Sequence, residues 1–157
     1  VTVTPPLSLD LGDLNLRNFI GSGFNHLQIS PDPEAMRILN RIGFLEKGFP
    51  YYGWLISVQA AVVRTAVNLG IPLIFFGEDG EVEYGGSTES KNTAIYDVDY
   101  MRRIYLEGGY SKVLSSSGLT DSQLYFFKFP DEHFLQKPNA LFSSGFVWLS
   151  YVVLYEG

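Results

Sequence analysis

Cysteine is absent from the 157 residues, which excludes disulfides, thiolate metal sites and a cysteine nucleophile within this sequence. Histidine occurs only at His26 and His133, far apart and without zinc-ligand spacing. Charge is sparse: 18% of residues are charged, below the ~25% usual for soluble domains. Basic residues are outnumbered 11 to 17, giving −6 at pH 7. Nucleic-acid binders usually carry a basic surface, so this balance points away from DNA and RNA. Long apolar runs are also missing. The longest are interrupted well before the ~20 residues a membrane helix needs, so no membrane span is expected. The first residues, Val1 to Pro6, carry neither a basic start nor an apolar run, so no signal peptide is read there. A P-loop, a dinucleotide-binding glycine motif and a G-x-S-x-G nucleophile elbow do not occur either.

What remains is a core-forming sequence. Apolar residues make up 46% and aromatic residues 15%. That composition argues against disorder, which needs low hydrophobicity and high net charge. The length fits a single α/β domain over residues 1–157. Both ends read like cuts through a larger fold, so a fragment of a longer chain is expected.

Val1–Thr4 reads as a short strand stopped by Pro5-Pro6, and Leu7–Gly12 as a loop. Asp13–Ile20 reads as a helix capped by Asp13, with Gly21 and Gly23 suiting its end. Phe24–Ser30 reads as a second strand, which makes a parallel strand–helix–strand crossover. Asp32 as cap and Pro33 at the first helical position open the best local helix signal. Its apolar stripe is Ala35, Ile38, Leu39, Ile42 and Leu45, and Gly48 stops it. Phe49–Trp54 is an aromatic loop. Leu55–Leu69 is a helix apolar on most sides, ended by Gly70. Pro72–Phe76 is a continuous apolar run, as in a parallel strand buried on both faces.

Farther on, Asp97–Leu106 reads as a helix and Ser115–Ser117 as a loop. Thr120–Gln123 resembles a capping box opening a short helix that ends near Pro130. Asp131–Gln136 allows one more turn. Phe142–Tyr155 contains a strand, with Gly145 as a bulge.

After Phe76 the chemistry changes. Gly77–Ser87 holds four carboxylates and four glycines in eleven residues. Ligands of open α/β sheets sit beyond the carboxyl ends of the strands. Glycines admit close approach of a ligand, and carboxylates there can hold Mg²⁺ beside substrate phosphates. A solvated acidic turn is the alternative. The aromatics of Phe49–Trp54 either stack on a base or sugar, or cover the core. Arg102-Arg103 either binds a phosphate or carboxylate, or forms a solvated helix face. His26 reads as a structural histidine, and His133 has no identifiable partner.

The segments Leu14–Ile20, Gly23–His26, Ser30–Pro33, Asn40–Phe44 and above all Ile71–Gly86 resemble N-acetyl sugar amidotransferases. These belong to the PP-loop ATP pyrophosphatase superfamily and serve lipopolysaccharide and flagellin sugar biosynthesis. The resemblance covers roughly residues 1–110 and centres on G-E-x-x-x-E-Y-G-G. It implies a three-layer α/β fold with a mainly parallel sheet and helices on both faces, of the adenine nucleotide alpha hydrolase-like kind.

It also implies a cytoplasmic ATP-dependent ligase that uses ATP and Mg²⁺. Such an enzyme adenylates the N-acetyl group of a nucleotide sugar and replaces its oxygen with nitrogen from ammonia. Its partners would be the nucleotide sugar, a glutaminase subunit supplying ammonia, and a second copy in a homodimer. Glu78, Glu81 and Glu83 fall on catalytic positions, with Glu78 also as metal ligand. Val3, Thr4, Gly77, Glu78, Gly80, Gly85 and Gly86 fall on cofactor-binding positions. The S-G-G-x-D-S loop that grips pyrophosphate in that superfamily does not occur in the sequence. The resemblance places it before Val1, so adenylation by this chain alone is not expected. A non-catalytic interaction fragment and another PP-loop amide ligase are the competing readings.

Overall fold

A computed structural model describes residues 1–71, 73–76, 95–96, 98–106, 108–131 and 147–150. It is mixed α/β. The chain forms two compact units, Val1–Val62 with Val113–Lys128, and Val63–Lys112 with Phe129–Gly157.

The first unit opens with β1 (Thr2–Val3), α1 (Asp10–Gly21) and β2 (Gln28–Ile29). β1 and β2 pair in parallel, with Thr2 opposite Gln28 and Val3 opposite Ile29. The expected crossover is present, but its strands are shorter than read from the sequence, and Phe24–Leu27 is not strand. α1 begins three residues before the expected Asp13. Leu9 holds the N-cap position without a side-chain cap, and both Asp10 and Asp13 fall in the first turn. Carboxylates there face the positive end of the helix dipole, so they favour that start without capping it.

α2 (Pro33–Lys47) starts and stops as its sequence predicts. The Asp32 carboxylate accepts the Ala35 amide N–H at 2.8 Å, and Gly48 closes the helix in the left-handed conformation, φ +70°. Its buried face is Ala35, Met36, Leu39 and Gly43, with Ile38 and Ile42 half-buried. Leu45 is 69% exposed, against expectation. The stripe turns because α2 and α3 (Tyr52–Leu69) approach closely at two glycines, Gly43 of α2 against Tyr52 and Gly53 of α3 against Leu39 and Asn40.

α3 begins at Tyr52, so Tyr52, Gly53 and Trp54 are helical rather than loop. Asn40 Oδ1 accepts the Trp54 backbone N–H at 3.2 Å. This satisfies an amide the first helical turn cannot pair internally. Tyr52, Leu55, Ile56, Ala60 and Ala61 are buried around the helix, as its apolar sequence predicts. Leu124 and Phe127 are buried later in the same unit. Thr120 and Gln123 form the predicted capping box. Gln123 N–H donates to Thr120 Oγ1 at 3.4 Å, and Thr120 N–H donates to Gln123 Oε1 at 3.1 Å. The box opens only a turn and the 3₁₀ helix Tyr125–Phe127, not an α-helix.

In the second unit Gly70 ends α3 with φ +65°, as predicted. β3 (Leu73–Phe76) pairs in parallel with β5 (Val147–Ser150), and β5 pairs antiparallel with β4 (Ile95–Tyr96). The order β3-β5-β4 puts β3 at an edge of the described sheet, and Ile74 is half-buried. Both findings differ from the doubly buried strand read from the sequence.

The expected 97–106 helix is in two parts. α4 (Val98–Tyr100) widens into the π-helical segment Met101–Tyr105, with Leu106 N–H donating to Met101 O at 3.0 Å. α5 (Tyr110–Ser116) occupies residues read as loop at Ser115 and Ser116. Ser116 and Ser117 hydroxyls donate back to the carbonyls of Val113 and Leu114, ending the helix. Gly145, and Gln136 with the residues between it and Asp131, lie outside the described residues.

Candidate functional site

β1 and β2 run parallel, so their carboxyl ends share one edge. Thr4 and Ser30 stand there, one residue past each strand. Their hydroxyls are 2.8 Å apart, and Gln28 Nε2 donates to Thr4 Oγ1 at 3.3 Å. Thr4 N–H donates to Ile29 O at 2.8 Å, which carries the ladder to this edge. Ser30 and Gln28 were not singled out in the sequence. The signal was available in the register, since extending Val3 opposite Ile29 sets Thr4 beside Ser30.

The three side chains described at this edge, Thr4, Ser30 and Gln28, are neutral. Hydroxyl and carboxamide groups there can exchange hydrogen bonds with a sugar or a base edge. They do not titrate near neutral pH, so they supply no general acid or base. Of the two expected cofactor-binding residues here, Thr4 presents its hydroxyl at the edge. Val3 is buried, 6% exposed, so it can offer a ligand backbone groups but not its side chain.

At the opposite end of the strand pair, His26 Nε2 lies 2.8 Å from Thr2 Oγ1. Its ring meets the Phe19 ring edge-on at 6.3 Å, and Phe19 stacks on Phe24. His26 therefore ties the strand start to α1, the structural role read from the sequence. Glu78, Glu81 and Glu83, with Gly77, Gly80, Gly85 and Gly86, lie outside the described residues, as does His133. Among the described residues no cluster of three metal-ligating side chains occurs.

The aromatic segment is divided between roles. Tyr52 is buried and meets Phe49 edge-on at 6.4 Å, while Lys47 Nζ lies 5.1 Å above the Tyr52 ring. Covering the core accounts for Tyr52, whereas Tyr51 is exposed. Arg102 and Arg103 also differ. Arg103 is exposed, but Arg102 is half-buried, which departs from a solvated pair. Arg102 Nη1 reaches Asp99 Oδ1 at 3.4 Å, and its guanidinium lies 5.2 Å from the Phe129 ring centre. Arg64 Nη2 donates to Phe129 O at 3.4 Å, and Tyr110 meets the Phe129 ring edge-on at 5.6 Å. Phe129 is thus gripped by two arginines, one on its ring and one on its carbonyl.

No helix among the described residues is long and apolar enough to cross a membrane. No protein-family model matches the chain, and no curated protein sequence matches it.

Proposed function

We propose that the chain is part of a cytoplasmic ATP-dependent amidotransferase acting on the N-acetyl group of a nucleotide sugar in surface-polysaccharide synthesis. The observation that carries this reading is the run Gly77-Glu78-Asp79-Gly80-Glu81-Val82-Glu83-Tyr84-Gly85-Gly86, which begins directly after β3, a strand with a parallel neighbour. The resemblance of Ile71–Gly86 to the sugar amidotransferases supplies the chemistry. The three-layer fold with a mainly parallel sheet belongs to the same proposal.

In the proposed reaction the acetamido oxygen attacks the α-phosphorus of ATP and pyrophosphate leaves. Ammonia from a partner glutaminase then attacks the activated carbon. AMP departs with the former carbonyl oxygen, leaving an acetamidino group. Mg²⁺ would offset the charge of the polyphosphate, which favours oxygen ligands such as the Glu78 carboxylate. Glu81 and Glu83 would position substrate or metal. The neutral hydroxyl and carboxamide groups of Thr4, Ser30 and Gln28 suit a base or sugar.

The test is calorimetric titration of the full-length protein with ATP and Mg²⁺, comparing wild type with Glu78→Ala. Turnover of a UDP-N-acetyl sugar to its amidine is followed alongside by mass spectrometry. Loss of Mg²⁺-dependent binding and of amidine formation in the variant is expected. Unchanged ATP affinity and turnover would remove Glu78 from the site, and absence of any amidine from wild type supplied with ammonia would end the reading.

A further inference from the structure

We draw no further inference here: the strongest candidate, the exposed Phe19–Phe24 ring stack at the end of α1, is an apolar surface patch, and nothing in the structure shows what covers it.

Discussion

Gly43 of α2 faces Tyr52 of α3 so closely that a Cβ added at Gly43 would overlap the Tyr52 Cβ, and would stand 3.1 Å from the Phe49 carbonyl oxygen. The obstructing Cβ is bonded directly to the α3 backbone, so no side-chain rotation moves it aside. Gly43→Ala is therefore expected to lower stability by about 1–3 kcal/mol, the usual cost of overpacking, despite the better helix propensity of alanine. Gly12 in α1 is the control, since nothing among the described residues lies within 4 Å of a Cβ there. Gly12→Ala is expected to raise stability by about 0.5–1 kcal/mol through helix propensity alone. Urea denaturation of both variants checks the contrast in sign.

The Asp32 cap gives the second prediction. Its carboxylate accepts the Ala35 N–H at the start of α2, where Pro33 has no N–H to satisfy. Asp32→Ala is expected to cost about 1 kcal/mol, whereas Asp32→Ser or Asp32→Asn should cost little. Equal losses in all three would show that the hydrogen bond contributes nothing and that the turn geometry alone starts the helix.

The start and stop of α2 were legible because each rests on one residue: a carboxylate of the right reach, a proline with φ already set, and a glycine able to adopt φ +70°. The capping box at Thr120–Gln123 was legible for the same reason. The buried face of α2 was not, because its direction is set by Gly43 and Gly53, which periodicity scores as empty positions. α5 was missed because its serines suggest a loop, while Val113 and Leu114 bury its inner face. The π-helical turn at Met101–Tyr105 has no pattern of its own in the sequence. Of the candidate site, the Thr4 edge could be reached from the strand pattern, but its partners Ser30 and Gln28 needed the register.

Leu39 and Leu45 test which way α2 faces. Both fit a helical stripe, yet Leu39 is fully buried and Leu45 largely exposed. Leu39→Ala is expected to cost about 2–5 kcal/mol from lost burial and the cavity left behind. Leu45→Ala is expected to stay within about 0.5 kcal/mol of wild type. Similar losses at the two positions would mean that α2 buries a different face.

Asp121 supplies a pH prediction. Its carboxylate takes a hydrogen bond from Lys128 Nζ, and that bond, followed by the lysine charge, holds the carboxyl below the usual aspartate range. A depressed folded-state value means that the pair's contribution is fully present above the ordinary aspartate range. It fades as pH falls through the lowered value. The group is on the surface, so the effect is small and screened by salt. NMR titration should show the Asp121 carboxyl moving up toward its ordinary value in Lys128→Met, and in wild type as salt is raised. An unmoved titration in the variant would sever the link between the two residues.

Gln59 gives the last prediction. The residue is 2% exposed, and its buried side-chain oxygen has no hydrogen-bond partner among the described residues. Leaving a buried acceptor unsatisfied costs about 1–3 kcal/mol. Replacing the amide by an apolar chain of similar length removes that cost while keeping the volume filled. Gln59→Met is therefore expected to match or exceed wild type in stability, although most substitutions of buried residues in α3 should destabilise. Gln59→Ala removes volume as well and is expected to lose about 2–5 kcal/mol relative to the methionine variant. Thermal and chemical denaturation of the pair separate the two contributions. A destabilised Gln59→Met would mean that the carboxamide makes a bond in solution, so that the oxygen is satisfied by water or by a ligand.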